Sequence, residues 1–177
     1  MITPQGKKSI EQIFQKAARQ NLGRSPEDKI HVQLLSDSSP VFKEKKVILF
    51  TISSFIFRLL TIFHIDETSA IKAYYLANNA DRSLLDVLYE YGNLCCGAMN
   101  RDLVSHFGHL GMSTPYLLER DSIVFLNGLK PGHTARFELR LPDDIVIHAT
   151  VSMCENAPID FKFDDVEEES TGELEFF

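Results

Sequence analysis

The stretch from Val47 to Ile65 constrains this chain more than any other. It reads VILFTISSFIFRLLTIFHI, and so continuous an apolar run either crosses a membrane or is buried on both faces of a sheet. Arg58 falls near its middle, where a charge costs a spanning helix about 2.5–3.5 kcal/mol on insertion scales. The residues are β-branched and aromatic, and Ser53-Ser54 interrupts them. Two buried strands joined near those serines therefore account for the run better than a membrane span. The N-terminus has no apolar signal core, since Lys7 and Lys8 lead into an amphipathic segment. A cytoplasmic protein without membrane insertion is expected.

The rest of the chain divides around that pair. Ile10, Ile13, Phe14 and Ala17 recur at helical spacing over Ser9–Gln20, and Ile30, Val32 and Leu34 alternate as a half-buried strand. Asp66-Glu67-Thr68 opens a helix running to about Ala77, which Asn78-Asn79 stops. A long helix follows over about 83–106, ended by Gly108. The period then changes to two. Ser122–Leu126 reads as a short strand before an Asn127-Gly128 turn. Thr134–Leu141 and Ile145–Met153 read as a hairpin turned by Pro142-Asp143-Asp144. Helices packed on a largely antiparallel sheet make an α+β domain over 1–154. Residues 155–177 form an acidic C-terminal extension that packs, if at all, through its phenylalanines.

Charge supports this division. The chain of 177 residues carries 18 Lys+Arg and 25 Asp+Glu, a formal charge of −7. Nine of those acids and one lysine lie from Glu155 onward, so the body is neutral and the end is acidic. Such a balance argues against nucleic acid as the main partner. Cys95, Cys96 and Cys154 form no disulfide framework and no zinc spacing.

The long helix carries the chemistry. At 100° per residue from Leu84, its core stripe contains Leu84, Leu85, Leu88, Tyr91, Gly92, Cys95, Met99 and Leu103. Asp86, Glu90, Asn93, Gly97 and Asn100 fall on the opposite side. Helix propensity does not explain glycine and asparagine there, because glycine in a helix interior costs about 0.8–1 kcal/mol relative to alanine. Gly92 on the core side lets the sheet or another helix approach. Gly97 on the outer side leaves room for another molecule's backbone. Two readings stay open on the residues alone: a solvated face with an accidental glycine, or a docking face built from two acids and a carboxamide.

The segment D86-VLY-E90-YG-N93-LCCG-A98 resembles the CheC/CheX/FliY family of chemotaxis phosphatases. Their pattern is Asp or Ser, three residues, Glu, two residues, Asn, and a proline further on. Twenty-one residues separate Asn93 from Pro115 here. The order of elements is also similar over Ile30 to Met153. The resemblance implies a CheC/CheX-like fold and hydrolysis of the aspartyl phosphate of a CheY-like response regulator in chemotaxis or two-component signalling. It gives the catalytic roles to Asn93, which would orient the attacking water, and Glu90, which would pair with the regulator's phosphate-contacting lysine. Asp86, Gly97, Asn100 and Pro115 would serve partner binding. The chain would need no metal or cofactor of its own, Mg²⁺ being carried by the phosphorylated regulator. A carboxamide suits the implied role, because it offers one water both a donor and an acceptor, and acyl-phosphate hydrolysis needs positioning above all.

The first helix has Phe14 where a second motif would place asparagine after Glu11, so one site per chain is expected, closest to CheX-like members. Those pair as homodimers through their sheets. Ser53-Ser54 lacks the glycine-rich turn of the family's first strand pair, and the acidic end has no counterpart in it. The rival function, from a different class, is a non-catalytic docking module that holds a response regulator or another signalling partner with the same face.

Other features read more plainly. His106 and His109 lack an obvious third metal ligand. Cys95 and Cys96 point mostly toward the core as small hydrophobes. Lys43, Lys45 and Lys46 make a small basic cluster before a strand, either an exposed linker or a contact for an anionic surface.

Overall fold

The computed structural model describes residues 1–36, 42–78 and 81–164. Asn79, half of the expected helix stop, and the acidic run from residue 165 lie outside them. Helix α1 (Pro4–Asn21) begins where Thr3 Oγ1 accepts the Gly6 amide at 3.0 Å, with Pro4 at the first helical position where a missing N–H does no harm. Strand β1 (His31–Leu34) follows, then β2 (Lys46–Ser53) and β3 (Phe57–Ile65). The apolar run is thus the expected strand pair, and Arg58 is exposed on β3. Its turn needs no glycine: Ser54 Oγ accepts the amides of Ile56 and Phe57 at 3.1 and 3.3 Å, which closes the bend by a side chain. No helix among the described residues is long and apolar enough to cross a membrane.

Helix α2 (Ser69–Leu76) is capped by Thr68, and α3 (Leu84–Val104) by Ser83. Strands β4 (Gly111–Met112) and β5 (Tyr116–Glu119) both pair with β2. The final hairpin is β6 (His133–Arg140) and β7 (Val146–Glu155). Its turn holds Asp143 and Asp144 at φ 61° and 55°, left-handed values that aspartate tolerates. The seven strands pair antiparallel throughout, in the order β1-β6-β7-β3-β2-β4, with β5 also on β2.

One expected strand is absent. Ser122–Leu126 lies within a 3-10 helix over Arg120–Leu129. Its Ile-Val-Phe-Leu sequence suits a strand, but β propensity is realised only against a neighbouring strand, and β4 and β5 already occupy the β2 edge.

Both faces of the sheet are covered, which is why β2 and β3 read as continuous apolar runs. On one face Phe63, Phe137 and Phe50 meet the helices. The Phe14 ring of α1 lies 4.6 Å from Phe137, and Met99 Sδ of α3 lies 3.7 Å from Thr61 Oγ1. The alternate residues Val47, Leu49, Leu60 and Ile62 line a groove of about 490 Å³ under Phe125 and Leu129 on the other face. The buried side of α3 is wider than a single stripe: Val87 and Ala98 are buried, whereas Leu85 and Tyr91 are half-buried. The reason is a second neighbour, α1, which packs alongside and is joined by a Lys16–Asp102 ion pair at 3.3 Å.

The body does not stop at Cys154. Beyond β7, Ile159 bridges to Ile2, and Ile159, Phe161 and Phe163 are buried. Buried Ser9 fastens this strap to α1, its Oγ 3.0 Å from the Phe161 carbonyl and accepting the Phe163 amide at 2.9 Å.

Candidate functional site

The outer face of α3 is where the sequence-selected residues come together. Asp86 and Glu90 are exposed, while Asn93, Gly97 and Asn100 are half-buried. Gly92 and Gly97 take opposite parts. A Cβ on Gly92 would stand 2.5 Å from two ring carbons of Phe50, so the glycine is what lets α3 lie on β2. A Cβ on Gly97 would meet nothing but Nη1 of Arg101 at 3.8 Å, so that position is an open notch in the helix surface.

Each polar residue has its own environment. Asp86 completes a reciprocal cap: its amide donates to Ser83 Oγ at 3.1 Å, and the Ser83 hydroxyl donates to Asp86 Oδ2 at 2.7 Å. Its carboxylate therefore serves the helix start, where negative charge also suits the dipole. The Ser83-Leu-Leu-Asp86 spacing carried that signal in the sequence. Glu90 accepts a hydrogen bond from Arg82 Nη1 at Oε2, 2.6 Å away, and Oε1 has no partner among the described residues. The Asn93 carboxamide likewise has no hydrogen-bond partner among them. Asn100 differs in that its Oδ1 is shielded from solvent while it too has no partner among the described residues. Pro115 is not on this helix; it stands half-buried in the connection from β4 to β5, at the β2 edge of the sheet.

The sequence did not reveal the cations around this face. Arg82 precedes the cap, and Arg101 lies with Nη1 over Gly97. Arg24 is held by Asp28 and Tyr74 beside a shallow cleft of about 380 Å³ that Arg82, Glu90, Tyr91 and Leu94 also line. Burial, then the nearby Glu90 charge, raise the Tyr91 phenol above its usual range. The Tyr74 hydroxyl donates to Asp28 at 2.7 Å; that bond is the main reason the Asp28 carboxyl lies below its usual range. Leu94, 52% exposed, adds an apolar contact next to Asn93.

A larger cavity of about 700 Å³ lies on the other sheet face, around Phe42, Glu44, His64 and His148. The motif residues take no part in it. Cys95 and Cys96 are both fully buried, which pushes their thiols upward, Cys96 to about 12, and keeps them protonated. The motif is thus a surface on the outer face of a helix rather than a pocket. Such a shape fits a macromolecular partner better than a small ligand, which binds in concavities.

No family model matches the chain, and no curated protein does. Solved structures do. A chemotaxis protein CheX from Desulfovibrio desulfuricans is 15% identical with a TM-score of 0.55, the match covering 82% of this chain and 98% of that one. The CheX of a CheX–CheY–BeF₃–Mg²⁺ complex from Borrelia burgdorferi is 12% identical with a TM-score of 0.58, covering 84% and 97%. FliY from Thermotoga maritima is 12% identical with a TM-score of 0.55, covering 85% and 90%. At nearly the full length of each of these proteins, with helices on a wholly antiparallel sheet, the chain has the α+β fold of the CheX and FliY structures.

Proposed function

We propose that this chain accelerates hydrolysis of the aspartyl phosphate of a CheY-like response regulator. The observation that carries the reading is the Asn93 carboxamide: without a hydrogen-bond partner among the described residues, three residues after Glu90, on an exposed helix face with a notch one turn beyond it. The Borrelia CheX of the same fold was solved with CheY, BeF₃ and Mg²⁺, which supports a regulator as the partner.

In this reaction water attacks phosphorus, the bond from phosphorus to the aspartyl oxygen breaks, and the carboxylate departs with its electron pair as phosphate forms. Asn93 enters beside the phosphoryl group, its Oδ1 accepting from the water and its Nδ2 donating to it, so that a lone pair faces phosphorus. Glu90 Oε1 accepts from the regulator's lysine and fixes the register of docking. Gly97 allows close approach of the partner's backbone. The regulator brings its own Mg²⁺, which neutralises charge on the phosphoryl oxygens.

The test follows phosphate loss from a labelled CheY-type regulator in buffer, with the wild-type chain and with Asn93→Ala. Acceleration by the wild type, reduced by two orders of magnitude or more in the variant at unchanged circular dichroism, is expected. Full activity in Asn93→Ala refutes the mechanism. Binding by both proteins without acceleration by either establishes the docking module instead.

The second sheet face supports a homodimer as part of this proposal. Tyr116, Val124 and Phe125 are 54%, 68% and 75% exposed around an apolar groove, a surface that a second copy covers. Light scattering of the purified chain gives the mass directly.

A further inference from the structure

The acids of the motif face are both engaged, and the unengaged charge beside Asn93 is positive. Asp86 is turned to Ser83, and half of Glu90 to Arg82. Arg101 comes two turns after Asn93, but helical side chains lean toward the N-terminus. Its guanidinium lies back over Gly97, where the missing side chain leaves a floor of bare backbone, Nη1 being 3.8 Å from the position a Cβ would take. The charged head thus stands about one turn, or ~6 Å, from Asn93 along the axis. Arg101 is exposed, and no carboxylate among the described residues pairs with it. Asp102, the adjacent acid, is taken by Lys16.

From this geometry we infer that Arg101 contacts the anionic phosphoryl group of the docked regulator and makes docking selective for the phosphorylated form. The inference rests on the proposed function and adds a residue that distinguishes substrate from product. Glu90 meets a lysine that is present in both forms of a regulator. Arg101 meets oxygens that only the phosphorylated form carries, through a planar fork of donors suited to phosphate. Gly97 then has two roles, giving the partner room and, by carrying no side chain, leaving Nη1 of Arg101 unobstructed beside it. Arg82, by neutralising half of Glu90, weakens attraction to the lysine alone and leaves more of the discrimination to Arg101.

The experiment is a titration of the wild type, Arg101→Gln and Arg101→Lys with a CheY-type regulator in Mg²⁺, with and without beryllofluoride, at two salt concentrations. The quantity read is the ratio of the two Kd values, which a general loss of structure does not shift selectively. The expected result is tighter wild-type binding of the beryllofluoride form by tenfold or more, most of that ratio lost in Arg101→Gln, part of it restored in Arg101→Lys, and a shallower salt dependence in Arg101→Gln for the beryllofluoride form. An unchanged ratio in Arg101→Gln overturns the inference and leaves the proposed function standing. Equal binding of the two forms by the wild type also overturns it. Failure of the wild type to bind or dephosphorylate any regulator overturns the proposed function, and this inference with it.

Discussion

Gly92 and Gly97 lie on one helix, five residues apart, and an alanine at either gains the same intrinsic helix propensity, about 0.8–1 kcal/mol. What differs is what the new methyl group touches. At position 92 it would stand 2.5 Å from Cε2 and Cζ of Phe50, a ring that is fully buried and packed edge-on against Phe63 at 6.0 Å, so making room for the methyl group means shifting that packing. Overpacking of this kind costs about 1–3 kcal/mol. At position 97 the nearest atom is the mobile tip of Arg101 at 3.8 Å, an ordinary contact. Because the propensity gain cancels between the two variants, their difference isolates the clash. Gly97→Ala is therefore expected to be more stable than wild type by up to ~1 kcal/mol, and Gly92→Ala less stable than Gly97→Ala by about 1–3 kcal/mol. Urea unfolding followed by circular dichroism measures both, and in melting temperature each kcal/mol amounts to about 2–4 °C for a chain of this size. Regulator dephosphorylation completes the argument: the more stable Gly97→Ala should lose it, since its methyl group fills the notch. Two variants of equal stability would refute the packing argument, and an undiminished rate in Gly97→Ala would refute the notch.

Two further expectations concern stability. His64 is 2% exposed, and burial lowers its pKa from 6.5 to about 4, partly offset by Glu44, while the charge of His148 lowers it further. Below pH 6.5 the unfolded chain takes up a proton that the folded one refuses, so this contribution is complete above pH 6.5 and is lost as pH falls toward 4, on the order of 3 kcal/mol in all. His64→Gln, which can still bond Thr150, should flatten the stability–pH curve between pH 6.5 and 4.5; curves parallel to wild type would show that His64 is not the group responsible. At the start of α3, Ser83→Ala and Asp86→Ala should each destabilise by about 1 kcal/mol. Because they share one reciprocal cap, the double variant should cost clearly less than the sum, and strict additivity in urea unfolding would mean that the two side chains act separately.

Much of this molecule was legible in its sequence, for identifiable reasons. The apolar run Val47–Ile65, with Arg58 inside it and Ser53-Ser54 interrupting it, read better as two buried strands than as a membrane span, and alternation over Thr134–Leu141 and Ile145–Met153 around an Asp-rich turn read as a hairpin. Periodicity assigned Gly92 to the packed side of the long helix and Asp86, Glu90, Asn93 and Gly97 to the other, since 3.6 residues per turn is set by the backbone alone. Sequence reasoning failed where an outcome depended on a neighbour distant in the chain. Ile123-Val124-Phe125 has strand residues but pairs with no strand, lying instead in the 3-10 helix that follows β5. Ala98 and Val87 are buried because α1, some 80 residues earlier, lies against them. The strap through Phe161 and Phe163 is fixed by a hydroxyl on the first helix. The electrostatics of the site turned instead on near neighbours, Ser83 for Asp86 and Arg82 for Glu90, through rotamers that spacing alone does not give. Spacing showed two acids on a helix face, but side-chain reach and direction determined that Arg82 occupies one of them, that Ser83 occupies the other, and that Arg101 lies back over Gly97 toward Asn93. Local spacing fixes which residues share a face. The charge that face presents follows from which partners fold within a few ångströms of it, and that the tertiary structure decides.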